Sequence, residues 1–331
     1  MSRNKVVVTG MGMITSLGSN VKKTWENVVN GKSGVDYITL FDTQNSATKF
    51  AAEVKDDFEI KAKELLKRKE RIKMTRLTRM AMVAVNEALE DSGIDFDQYD
   101  RSRIAVIMGV VTSAYNDIER EKSEDNIIVK SMPNSLSAWI SINNNLYGPN
   151  YNVSTACASS AYAIAFGQQM ISSGMADVVI VGGADSHINE ECIKGFNQIY
   201  ALSARNDSPQ TASRPFSLGR NGFVMGEGVG VLILESEESA KKHNSKIYAE
   251  IPGYSLTSEA FDITSPQSDG IGMAKTMREA IENAGICIDD IDYINAHGTS
   301  TYLNDKYETM AIKECFGEKI LLLCELFILE L

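Results

Sequence analysis

The sequence predicts an α/β protein built from two similar halves, with parallel or mixed sheets covered on both faces. Three observations carry this. Short apolar strands alternate with helical patterns, as in sheets buried between helices. A fourteen-residue segment, Glu87–Asp100, returns as Glu279–Asp292 at a constant offset of 192 with no gap. Each copy reads as a helix end, a glycine C-cap, a short loop and the approach to a strand.

In chain order, Val6–Gly10 is the opening strand. An insertion follows, in which Lys61–Arg79 holds nine Lys/Arg and two Glu, a local charge of +7. Leu77, Met80, Ala81, Ala84, Val85 and Ala88 fall on one stripe and predict a helix that Gly93 ends. Ile104–Gly109 is the next strand. The run Asn152–Ala161 carries Cys157 where a β-rich stretch meets a helix of small residues. Val178–Gly182 and Val229–Leu234 complete the strands of the first half. The boundary falls near residue 240, giving units 1–240 and 241–331. The second half opens with the strand Ile247–Ile251 and reaches Tyr293–Gly298 after the repeated helix end.

Composition narrows the functions. At 44% hydrophobic and 23% charged, the 331 residues describe a soluble globular protein. No stretch reaches the roughly 20 apolar residues that span a bilayer, and the N-terminus has no signal-peptide core. Five cysteines, an odd number with no C-x-x-C pair, point to reduced thiols in a cytoplasm rather than to a disulfide framework or zinc site. A net charge of −11 disfavours nucleic acid. There is no H-E-x-x-H, G-x-S-x-G or P-loop, and Gly10-Met11-Gly12 lacks the third glycine of a dinucleotide fingerprint. Outside the basic island the chain stands at −18. The island is either a solvated helix face or a docking patch for an acidic partner.

Cys157 also has two readings. At a helix start, unpaired N–H groups and the macrodipole favour a thiolate, the competent nucleophile. Its own N–H can then supply half of an oxyanion hole. Otherwise it is a small hydrophobe packed in the interior.

Further motifs join it. Thr155-Ala156-Cys157-Ala158-Ser159-Ser160 resembles the nucleophile turn of the β-ketoacyl-acyl-carrier-protein synthases. Ser213-Arg214-Pro215-Phe216 through Gly222-Phe223-Val224-Met225-Gly226-Glu227-Gly228 resembles their R-P-F…G-F-V-x-G-E-G segment. Asn295-Ala296-His297-Gly298-Thr299-Ser300-Thr301, with Asn304-Asp305, is similar to their first catalytic-histidine motif, and Val7–Gly12 is similar to their opening strand. The resemblance runs from about residue 4 to Gly317. It is nearest to the elongating synthase II type, least so over Asp117–Ser137.

The resemblance implies a thiolase-like fold of duplicated βαβαβ halves layered α/β/α/β/α, and a homodimer. It implies a decarboxylative Claisen condensation. An acyl group moves from carrier-protein phosphopantetheine to Cys157. Malonyl-carrier protein loses carbon dioxide, and the enolate attacks the acyl-enzyme. No metal or redox cofactor is implied; the partner is acyl carrier protein. His297 matches the residue that stabilises the enolate oxygen. Thr299 and Thr301 match hydroxyls that hold pantetheine amides, and Phe196 matches a residue at the acyl pocket. Asp305 and Glu308 match acidic residues behind the histidine. Lys67, Arg68, Lys69, Arg71 and Lys73 lie where the carrier protein docks.

The second half departs from the family. The first half continues 135 residues beyond Asp100 to Glu235; the second has 39 after Asp292. The family's S-x-x-K-x-x-x-G-H motif and later glycine-rich loop are expected after Gly317 and are not found. The run Ile320–Leu331 is ten-twelfths apolar and reads as a frameshift or truncation. Two expectations follow: a synthase whose second half is incomplete, with condensing activity impaired or lost, or a non-catalytic carrier-binding partner resembling the chain-length factors. Those factors typically lack the cysteine, which favours the synthase.

Overall fold

The computed structural model describes residues 4–55, 57–111 and 125–317, with the backbone of 322–324. Its strands are β1 (Val6–Thr15), β2 (Asp36–Tyr37), β3 (Phe50–Ala51), β4 (Ile104–Gly109), β5 (Asn150–Val153), β6 (Val178–Ser186), β7 (Glu227–Ser236), β8 (Ala249–Glu250), β9 (Tyr293–Asn295) and β10 (Leu322–Cys324). Six form a mixed sheet in the order β5-β4-β6-β7-β1-β8. The neighbours β5, β4 and β6 run parallel, and β7 lies antiparallel between β6 and β1.

Both faces of the four central strands β4, β6, β7 and β1 are largely buried, and the strand period of two sorts their residues between the faces. Ile104, Val106 and Met108 pack with Leu77, Met80, Ala84 and Ala88 of helix Arg76–Ser92, the stripe expected from the sequence. Ala105 and Ile107 pack on the other face with Ala163, Met170 and Ile171 of helix Ser159–Ser172. The four strands expected in the first half are present as β1, β4, β6 and β7.

The duplication is visible in bond detail. Helices Arg76–Ser92 and Ile271–Ala284 end on Gly93 (φ +64°) and Gly285 (φ +68°), whose left-handed backbone suits glycine. Each is followed by a 3₁₀ turn, Phe96–Gln98 and Ile288–Asp290. Glu87 accepts the N–H groups of Met13 and Val21 at 2.9 Å, and Asp91 that of Met11 at 2.9 Å. Their counterparts Glu279 and Asn283 bond the Ser255 hydroxyl (2.8 Å) and the Tyr254 carbonyl (3.0 Å). Residues 254–255 thus sit against their helix as β1 sits against its own.

Two expected strands are shorter than their apolar runs. The Ile247–Ile251 strand contracts to β8 and joins the first sheet, because the carbonyls of Val8 and Val6 accept the N–H groups of Tyr248 and Ile251 at 2.9 Å. The Tyr293–Gly298 strand contracts to β9, which pairs in parallel with β10. The apolar run Ile320–Leu331 otherwise lies outside the described residues, as does 117–124. Among the described residues no helix is long and apolar enough to cross a membrane.

Candidate active site

Cys157 is exposed, in the turn between β5 and helix Ser159–Ser172. The turn closes where the Ala158 N–H meets the Thr155 carbonyl at 3.2 Å and the Ser159 N–H meets the Ala156 carbonyl at 3.1 Å. Ala156 has φ +51°, a left-handed conformation that its Cβ disfavours. The interior-hydrophobe reading of Cys157 is therefore excluded.

His297 follows β9 on a loop braced from below. Glu308 accepts the N–H groups of His297 (2.7 Å) and Gly298 (2.9 Å), which is why the strand stops at Asn295. Glu308 and Asp305 project from helix Tyr302–Phe316, and the Asn304 amide donates to both. Asp305, 1% exposed, accepts the Phe216 N–H at 2.7 Å and pairs with Arg220 at 3.4 Å. The Ser300 hydroxyl accepts the Arg214 N–H and its carbonyl the Gly222 N–H, both at 3.0 Å. The R-P-F…G-F-V segment and the histidine loop are thus one unit, a joint that their separation in sequence concealed. Asp305 and Glu308 thus hold backbone, of Phe216 and of the histidine loop.

Thr299 and Thr301 share a hydroxyl hydrogen bond of 2.8 Å. Phe196 stands edge-on to Phe223, centroids 5.3 Å apart, next to Gly222 of the same unit.

His297 is itself an exposed residue, yet the protein crowded around its imidazole penalises the charged form and lowers its pKa. Glu308 and Asp305 pull the other way. A histidine whose folded pKa lies below its unfolded value takes up its proton more readily once the chain unfolds. Its effect is nil above about pH 6.5 and destabilising as pH falls through that value. His297→Asn is expected to flatten the acid-side fall in melting temperature between about pH 7 and about pH 5. An unchanged slope would show that the ring protonates as readily folded as unfolded.

The basic island divides in two. Arg76 and Arg79 point inward, to Glu227 (3.0 Å) and Glu59 (2.9 Å). Lys67, Arg68, Lys69 and Lys73 are exposed and Arg71 is half-buried, on and around the single-turn helix Arg68–Arg71. Ile60, Leu65 and Ile72 are exposed among them, an apolar component that counting charges does not reveal.

Thioester exchange needs a thiol that an acyl group can reach and a donor that meets charge on a carbonyl oxygen. A reachable cysteine turn and a braced histidine loop on a duplicated α/β scaffold place the chain among acyl-transferring enzymes. Residues 3–240 match the beta-ketoacyl synthase N-terminal domain and residues 248–324 its C-terminal domain, so the chain belongs to the β-ketoacyl synthase family of condensing acyltransferases, and its fold is thiolase-like. The match passes Gly317, where the motif resemblance ends. A 3-oxoacyl-[acyl-carrier-protein] synthase 2 of Staphylococcus aureus (strain COL) is 40% identical over 329 residues, covering 96% of this chain and 78% of that protein. The solved ishigamide ketosynthase/chain length factor superposes with a TM-score of 0.88 at 30% identity, over 97% of this chain and 80% of the other. A type II PKS acyl-carrier protein in complex with its ketosynthase gives 0.83 at 29% identity, over 96% and 78%.

Proposed function

We propose that this chain extends acyl groups carried on acyl carrier protein, in fatty-acid or polyketide synthesis. The observation that carries the reading is the exposed Cys157 in its left-handed turn. Cys157 accepts the acyl group from the carrier's phosphopantetheine thioester. Malonyl-carrier protein then loses carbon dioxide, and its enolate attacks the acyl-enzyme to give a 3-ketoacyl thioester two carbons longer. His297 donates to the enolate oxygen; Thr299 and Thr301 hold the pantetheine amides; Phe196 lines the acyl pocket. Asp305 and Glu308 fix the backbone of the histidine loop. The chemistry as read calls for no metal or redox cofactor. The exposed thiol favours this enzyme over a non-catalytic carrier-binding partner.

The direct test is incubation with acyl-carrier protein and peptide mass mapping. An acyl group on Cys157 is expected; one on Cys192 or Cys287 with Cys157 unmodified would sink the assignment.

The carrier docks on Lys67, Arg68, Lys69, Arg71 and Lys73, its acidic surface meeting their charge and its apolar surface meeting Ile60 and Ile72. Arg68→Glu with Lys69→Glu is expected to slow association roughly tenfold or more at low salt and to flatten its salt dependence. Such charges act over about 10 Å at about 0.1 M salt. Unchanged kinetics would return these residues to a solvated face.

The reading includes a cytoplasmic homodimer. β5 lies at one edge of the sheet, where a second copy can pair by two-fold symmetry. A monomeric mass in solution would remove this part.

A further inference from the structure

We propose that Ser159 is a positioning residue that aims the Cys157 N–H at the oxyanion of the acylation step. The proposal rests on the reading of Cys157 as acyl acceptor.

The Ala156 carbonyl and the Cys157 N–H belong to one peptide unit. That unit is planar and trans, so its oxygen and its N–H point in opposite directions. Ser159 holds the oxygen twice, through its hydroxyl at 2.6 Å and its own N–H at 3.1 Å. The same hydroxyl accepts the Thr155 N–H at 2.9 Å. One buried side chain therefore grips the backbone on both sides of Ala156, the residue held at φ +51°. A conformation of that kind persists only where its surroundings over-determine it. With the Ala156 oxygen drawn to the helix start, the Cys157 N–H is directed away from the helix. Ser159 has little freedom to drift. It is 4% exposed, and a Cβ placed on Gly109 of β4 would lie 2.4 Å from its carbonyl carbon.

In acylation the Cys157 thiolate attacks the carbonyl carbon of the acyl thioester. The new C–S bond forms as the π pair moves to oxygen. The oxyanion collapses, the bond to the carrier sulfur breaks, and the departing thiolate takes up the proton that Cys157 gave up. An N–H aimed at the oxyanion lowers this barrier alone. Alkylation of the same thiol by iodoacetamide displaces iodide at a saturated carbon and builds no oxyanion. Ser159→Ala removes the hydroxyl that holds both Ala156 and Thr155 and leaves the Ala156 oxygen on the backbone N–H alone, so the peptide plane is freer to rotate.

The test compares two rates at Cys157, acylation by acyl-carrier protein and alkylation by iodoacetamide, read on the Cys157 peptide. Losing an oxyanion donor outright lowers rates by ~10²–10³; misaiming it in Ser159→Ala is expected to slow acylation roughly 10- to 100-fold, with alkylation held within about twofold. Ser159→Thr keeps the hydroxyl and is expected to retain the acylation rate; Ser159→Val, the same shape without the hydroxyl, is expected to lose it. Equal falls in both rates, or acylation unchanged in Ser159→Ala and Ser159→Val, would overturn the proposal. A wild-type chain that is alkylated but never acylated would overturn the acceptor assignment instead.

Discussion

Replacing Cys157 with alanine is expected to abolish acyl loading, a fall of roughly four to six orders of magnitude in rate if the thiol is the sole nucleophile. Stability should stay within about 0.5 kcal/mol of the parent, since an exposed side chain away from the core contributes little to folding. The other described thiols are poor substitutes. Burial pushes the Cys192 thiol pKa up, and the charges of Asp185 and Glu191 add to the rise against the Asn189 side chain. Cys315 is buried and its thiol pKa is likewise raised by burial. Cys287 is exposed but lies in the loop after the repeated helix, away from any turn like that of Cys157. Intact-protein mass after incubation with acyl-carrier protein, paired with a thermal melt, checks both halves. Stoichiometric loading of a well-folded Cys157→Ala chain would end the nucleophile assignment.

Local pattern carried most of the fold. The Leu77–Ala88 stripe is buried because one helix face meets one sheet face, which a 3.6-residue period reports directly. The repeat at offset 192 pointed to both glycine caps and the short loops after them, since these depend on a few adjacent residues; that each loop holds a 3₁₀ turn came from the structure. The places of Cys157 and His297 in the fold were legible for the same reason: each stands where a β-rich run gives way to a turn of small or polar residues. Long-range closure was not legible. Nothing local in Ser300 marks it as the acceptor for Arg214, and nothing local in Glu308, which the resemblance put behind the histidine, marks its carboxylate as the acceptor for the His297 and Gly298 N–H groups. The Ile247–Ile251 strand misled because its partner, β1, lies at the other end of the chain.

Arg76 shows how charge counting fails in the same way, and its replacement should have the largest effect on stability. It was counted in the basic island, yet its side chain is 6% exposed. Its Nη2 donates to Glu227 at 3.0 Å and to the Val54 carbonyl at 2.7 Å, with its guanidinium 4.7 Å from the Phe58 ring centroid. The Glu227 side chain is fully buried and also accepts the Val54 N–H (2.9 Å) and the Ser186 hydroxyl (3.0 Å). Arg76→Met strips this carboxylate of a cation in a low-dielectric interior, and breaking one side of a buried pair costs about 3–5 kcal/mol. Glu227→Gln on the same background keeps an acceptor oxygen for the Val54 N–H and turns a donor amide to the Ser186 hydroxyl, which can accept, while removing the uncompensated charge. The double variant is therefore expected to recover part of the loss, a non-additivity that a double-mutant cycle in urea measures. Carrier-protein association by the folded Arg76→Met chain should match the parent, which separates this arginine from Arg68 and Lys69. A loss below about 1 kcal/mol, with slower carrier binding, would return Arg76 to the docking face.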